Sequence, residues 1–176
     1  MKAGIMVATI KSLFQSSGTH PDISAFFNQC TNTIKKMNMG NLYMALALIR
    51  IKGNKLLAAS AGMPHILIFR ETKQSVDEIE IKGPPLGGFS DFSYQQKETK
   101  LNIGDTVLLM SDGFPEQFNE KDIMMGYDQI KEIFRRVANR TPDDIVNHLI
   151  DKSKKWRNLK AQDDDITFVV LKVKQK

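Results

Sequence analysis

The stretch LNIGDTVLLMSDGFPE, residues 101–116, decides how this chain reads. A Gly104-Asp105 turn precedes Thr106–Met110, a short apolar run of strand type, which delivers Asp112 just past its C-terminal end. A second stretch near the end, QDDDITFVVLKV at residues 162–173, answers it: Asp163, Asp164 and Asp165 stand before an almost continuous apolar run at 166–173. Carboxylates held at strand ends can converge on a hard cation. Oxygen ligands suit magnesium or manganese, and one or two carboxylates plus water is the usual magnesium arrangement. The bland reading stands beside this one: Asp-Gly after a strand is commonly a plain turn, and consecutive Asp residues commonly form a solvated loop.

Residues 2–16 carry Ala3, Met6, Val7, Ile10, Leu13 and Phe14 at helical spacing, which predicts a first helix with one broad apolar face, stopped by Ser16-Ser17-Gly18-Thr19. Pro21 suits the first turn of a second helix, striped by Ile23, Phe26, Phe27, Cys30, Ile34 and Met37. Strands are expected at 42–52 and 55–61 around a Gly53-Asn54 hairpin turn, then at 65–70, 78–82 (after a turn at 74–77), 92–100 and 106–111. Gly83-Pro84-Pro85-Leu86-Gly87-Gly88 reads as a structural crossover, because its prolines remove the amide donors a phosphate loop needs. A third helix is expected near 126–138. Thr141-Pro142 opens a fourth, with Asp143 and Asp144 in its first turn. Helix pair, strand series, helix pair, strand: the pattern is α+β, with antiparallel sheet between helices in a single domain over 1–176.

Composition sets bounds. At 176 residues, 41% hydrophobic and 26% charged, the chain has the makeup of a soluble globular domain. No apolar run approaches the ~20 residues of a membrane span. The lone Cys30 lies on an apolar helix stripe, reads as a buried structural thiol, and fits a reducing cytoplasm. The net charge of +5 concentrates at the C-terminal end, in Lys152, Lys154, Lys155, Arg157 and Lys160 among others. The lysines lack interleaved aromatics apart from Trp156 and form no reader motif, so a solvated face or a patch for an acidic protein partner is preferred to nucleic acid.

Taken together, the motifs resemble those of metal-dependent Ser/Thr protein phosphatases of the type 2C superfamily, and most closely its bacterial branch of stage II sporulation and sigma-factor-regulator phosphatases. Gly104-Asp105, the strand, then Ser111-Asp112-Gly113-Phe114-Pro115-Glu116 is similar to one metal motif of that branch, and Asp164-Asp165-Ile166-Thr167 to its last. Ala61-Gly62-Met63-Pro64-His65 and Pro85-Leu86-Gly87 are similar to two intervening turns, with the histidine displaced by two positions.

The resemblance implies antiparallel sheet layers flanked by helix pairs, the αββα sandwich of that superfamily. It implies two manganese or magnesium ions that activate a water for in-line attack on phosphoserine or phosphothreonine, with no protein nucleophile. It implies Asp112 and Asp164 as metal ligands, with Asp165 holding the turn or ligating through water. From the residues themselves, Asp163 is expected to face solvent, Asp105 to serve the turn, and Glu116 to cap or orient the loop carrying Asp112. His65 is expected to be structural, and His20 and His148 surface or helix-end residues. The implied substrate is a phosphorylated regulatory protein of the anti-anti-sigma kind, in the bacterial cytoplasm.

The family's first metal motif, which supplies the ligand bridging both ions, has no counterpart ahead of residues 1–8, which resemble the helix that follows it. A late start, a cut or a natural shortening would each explain this. With that ligand missing, at most one weakly held ion, little activity and a homodimer or larger assembly through uncovered sheet are expected. The alternative is a non-catalytic remnant acting as a binding or oligomerisation module.

Overall fold

The computed structural model describes residues 2–16, 22–38, 40 and 42–174. Of the expected stop at Ser16-Ser17-Gly18-Thr19, Ser16 is the last residue of the first helix, and residues 17–19, Pro21 and His20 lie outside the described residues. In chain order the elements are α1 (Lys2–Ser16), α2 (Ile23–Lys36), β1 (Leu46–Lys52), β2 (Lys55–Ala61), β3 (Ile66–Arg70), β4 (Ser75–Ile79), β5 (Gln96–Lys100), β6 (Thr106–Met110), α3 (Gly126–Val137), α4 (Pro142–Arg157) and β7 (Phe168–Lys172). They form two compact units, one of Met1–Met63 with Ile81–Thr99, the other of Pro64–Glu80 with Lys100–Lys176. The architecture is α+β, with antiparallel sheets and flanking helices.

In the first unit β1, β2 and β5 make a three-stranded sheet in that order. β1 and β2 pair in full, Leu46 opposite Ala61 and Lys52 opposite Lys55, around the expected Gly53-Asn54 turn. The α2 stripe of Ile23, Phe26, Phe27, Cys30 and Ile34 is buried with Ala59, Ala61, Leu86 and Tyr94. Asp22 caps α2, its Oδ1 accepting from the amides of Ser24 at 2.8 Å and Ala25 at 3.2 Å. Burial pushes the Cys30 thiol up to about 12, against a backbone hydrogen bond that lowers it, so this thiol is inert at neutral pH.

Several expectations change here. The broad face of α1 buries only Met6 and Ile10. Val7 and Phe14 stay half exposed beside a groove of about 370 Å³ against β1, the edge of its sheet. The strand expected at 42–52 begins only at Leu46, with Met44 bridging Leu86 of the Gly/Pro crossover instead. The strand expected at 92–100 is cut to β5, because Tyr94 turns inward to pack edge-on against Phe27, with ring centroids 5.1 Å apart.

The second unit holds a four-stranded antiparallel sheet, β4-β3-β6-β7. Leu67, Phe69, Leu108 and Met110 pack with Ile130, Phe134, Ile145 and Leu149 of α3 and α4. Each such side chain withdrawn from water contributes roughly 1.5–3 kcal/mol. α4 starts as its sequence dictates: the Thr141 hydroxyl accepts from the Asp144 amide at 3.2 Å, with Pro142 in the first turn.

The turn expected at 74–77 and the strand at 78–82 are displaced. Gln74 takes a left-handed conformation, φ 51°, and closes the turn early, so β4 spans Ser75–Ile79 opposite β3. Asp105 is more than a turn residue. It is fully buried and accepts from Arg70 Nη1 at 2.9 Å and from the amides of Glu71 and Asn102 at 3.1 and 3.0 Å. Arg70 Nε also donates to Asp77 at 2.7 Å, so the ion pair ties β3, β4 and the start of β6 together.

Candidate metal centre

Both acidic motifs fall in the second unit, on adjacent strands. β6 and β7 pair from Thr106 opposite Lys172 to Met110 opposite Phe168. The loop leaving β6 therefore meets the loop entering β7, and Ser111 fastens them. Its amide donates to the Thr167 carbonyl at 3.0 Å, its hydroxyl donates to the Asp165 carbonyl at 3.0 Å, and the Thr167 amide donates back to that hydroxyl at 2.9 Å.

Gly113 lets the two backbones touch. A Cβ there would stand 2.5 Å from the Asp165 carbonyl oxygen and 3.2 Å from that of Asp164, so only glycine fits. Phe114 pegs the first loop into the core, its ring edge-on to Phe168 at 4.8 Å.

Asp112 sits at this junction, half-buried, with Oδ1 accepting from the Gly113 amide at 3.1 Å and its carbonyl from the Glu116 amide at 3.0 Å. Asp164 is exposed, and its Oδ1 accepts from the Asp165 amide at 2.7 Å. Asp165 is exposed too, and engages the site through its carbonyl. Asp163 and Glu116 are exposed.

The donor set is all oxygen, from a half-buried and an exposed carboxylate with open sides, which fits one magnesium or manganese ion completed by water. Among the described residues no group of three or more His, Cys, Asp or Glu side chains gathers at metal-binding distance. Two ions would need more oxygens than these motifs supply.

Two features of this unit escaped the sequence. Ser111 is a clamp, and nothing in the spacing of Ser-Asp-Gly announces its partners. His65 belongs to a connected group: its ring stacks on Tyr127 with centroids 4.4 Å apart, and Nδ1 is hydrogen-bonded to Glu78, which also accepts from Lys131 at 3.0 Å. Burial raises the Tyr127 phenol above its ordinary value, and the carboxylates of Glu116, Glu78 and Asp112 add to the rise against the His65 amide hydrogen bond. The stacked pair of His65 and Tyr127 thus lies near enough to Asp112 for its charge to act on the phenol. His148 on α4 is held below its ordinary value by burial and by nearby Lys152 and Arg140.

The antiparallel α+β fold is that of solved type 2C phosphatase domains. The SiaA-PP2C domain of Pseudomonas aeruginosa aligns with a TM-score of 0.82 at 20% identity, over 97% of this chain and 67% of that one. The manganese-presoaked phosphatase domain of the cell fate determinant SpoIIE from Bacillus subtilis aligns at 0.67 with 17% identity, over 97% and 74%. The family model for stage II sporulation protein E matches residues 1–174, and the chain belongs to that family. Phosphoserine phosphatase RsbU of Bacillus subtilis is 28% identical over 116 residues, which is 66% of this chain and 34% of that protein, so the chain spans about a third of the relative's length.

Proposed function

We propose that residues 1–176 act as one phosphatase-like domain that hydrolyses phosphoserine or phosphothreonine on a regulatory protein of the anti-anti-sigma kind in a bacterial cytoplasm. The observation that supports this most is the Ser111 clamp, which seats the Asp112 loop on the Asp164-Asp165 loop in a chain of the stage II sporulation protein E family.

In this reading Asp112 and Asp164 hold a manganese or magnesium ion. Asp165 supports the turn, or ligates through water, while its carbonyl anchors Ser111. Such an ion, when bound, lowers the pKa of a water and offsets phosphate charge. The protein's own part is positioning. Ser111 fixes the spacing of the loops, Gly113 permits their contact, and Phe114 resists their drift. Lys131 neutralises Glu78 at the flank.

Among the described residues two carboxylate-bearing loops meet here, which favours at most one weakly held ion and low turnover. That same observation favours the second reading, a binding or oligomerisation module. For self-association we assign the β1 edge and its apolar groove, with Val7 and Phe14 exposed beside it.

Manganese-dependent hydrolysis of a phosphoserine peptide, compared between the wild type and Asp112→Asn, tests the enzyme reading. Slow hydrolysis that the substitution abolishes supports it. Hydrolysis indifferent to Asp112 and to manganese refutes it, and no hydrolysis at all favours the module. A monomer by light scattering at micromolar concentration would contradict self-association.

A further inference from the structure

A cavity of about 390 Å³ opens in the second unit between the C-terminal half of α4 and the segment leading into β7. Ile150, Ile166 and Phe168 give it apolar walls, Ser153 and Thr167 polar ones, and its charged members are the cations Lys154 and Arg157, with no carboxylate among the lining residues. This volume and this mixture suit a small organic ligand.

Arg157 is the telling residue. Its Nη1 donates to the Lys160 carbonyl at 3.3 Å, but its Nε is buried without a hydrogen-bond partner. That nitrogen has almost no accessible surface, so a ligand in the cavity meets Arg157 through the other atoms of its guanidinium. A guanidinium matches the planar fork of a carboxylate best.

We propose that this cavity binds a small amphipathic carboxylate, its apolar body against Ile150, Ile166 and Phe168 and its head group on Arg157, and that occupancy tunes the centre at Asp112 and Asp164. The tuning rests on the metal-centre reading given above; the binding does not. Hydrogen bonds run from the walls to both acidic loops. On one side the Ser153 hydroxyl donates to Gln117 Oε1 at 2.9 Å, and Gln117 Nε2 donates to the Phe114 carbonyl at 2.9 Å, two residues from Asp112. On the other side Thr167, itself a wall residue, exchanges hydrogen bonds with Ser111 at 3.0 and 2.9 Å. A ligand that shifts α4 against the β7 lead-in therefore shifts the seats of both carboxylates.

Isotope-labelled protein titrated with phenylbutanoate, without metal, tests the site by amide chemical shifts. Saturable shifts are expected at Ile150, Arg157 and Thr167, and with them at Ser111 and Gly113. Arg157→Gln weakens binding about tenfold, equivalent to ~1.4 kcal/mol, and Ile150→Trp, which fills the cavity, abolishes it. Phenylbutanol, which lacks the charge, binds the wild type as weakly as phenylbutanoate binds Arg157→Gln. The absence of saturable shifts at Ile150 and Thr167, or equal binding of the alcohol and the acid, overturns the site. Shifts there that leave Ser111 and Gly113 unmoved overturn the coupling. Manganese is then titrated with and without phenylbutanoate. A changed affinity supports the tuning, and an unchanged one overturns it. A protein that binds no manganese in either state overturns the metal-centre reading, while the amide shifts still decide the cavity.

Discussion

Replacing Gly113 by alanine tests the junction of the two acidic loops with a single methyl group. The new Cβ would lie 2.5 Å from the Asp165 carbonyl oxygen, and backbone stands on both sides of the contact. An ordinary C···O contact is about 3.3 Å, so the loops must part by about 0.8 Å. That displacement cannot be absorbed by a rotamer. It falls on the three Ser111 hydrogen bonds, now 2.9–3.0 Å, and stretches them beyond useful length. Overpacking of this kind costs about 1–3 kcal/mol, and partial loss of the hydrogen bonds brings the total to roughly 2–4 kcal/mol. Urea unfolding of the wild type and Gly113→Ala measures it. Manganese affinity should fall in the same variant, because Asp112 moves away from Asp164. Stability within about 0.5 kcal/mol of wild type, the range of an ordinary surface substitution, together with unchanged manganese binding, would refute the claim that these backbones are in contact.

Asp105→Ala takes from buried Arg70 one of its two carboxylate partners and removes the acceptor of the Glu71 and Asn102 amides; we expect a loss of about 3–5 kcal/mol by urea unfolding, and a loss under about 1 kcal/mol would contradict the buried pair. Cys30, raised to about 12 by burial, should resist iodoacetamide at mildly alkaline pH in the native protein and react quickly in denaturant; equal rates would contradict its burial. Burial opposes the charge on Glu78, but hydrogen bonds from His65 and Lys131 outweigh it and hold the carboxyl below its ordinary value. A depressed carboxyl stabilises the fold above its unfolded pKa, about 4.3, and that contribution is lost as pH falls through the folded value. The stability gap between wild type and Glu78→Gln should therefore shrink on acidification, and a constant gap would contradict the assignment.

The parts legible in the sequence were those set by local chemistry. β2 and β6 are apolar runs closed by turn residues, and both lie where their composition places them. α4 follows from Thr141, Pro142 and two aspartates in its first turn. What resisted reading depended on partners far along the chain. Ile79 and Ile81 alternate with charge in either register, and only the pairing of β4 with β3 selects Ser75–Ile79. β5 leaves the strands nearest to it in sequence and joins β2, a choice that no local pattern records. Asp105 looked like any aspartate after glycine, because Arg70, its partner, lies 35 residues earlier. At the candidate site the acidic residues were legible as types, whereas the clamp of Ser111 on residues 165 and 167 exists only once β6 and β7 pair.

The central claim, that Asp112 and Asp164 share one divalent ion, is tested most directly by a double-mutant cycle on manganese affinity, measured by calorimetry on the wild type, Asp112→Asn, Asp164→Asn and the double variant. A shared ion predicts that each single substitution removes most of the binding and that the double variant is little worse than either, a strongly non-additive cycle. Losses that simply add, or manganese binding that survives both substitutions, would contradict it.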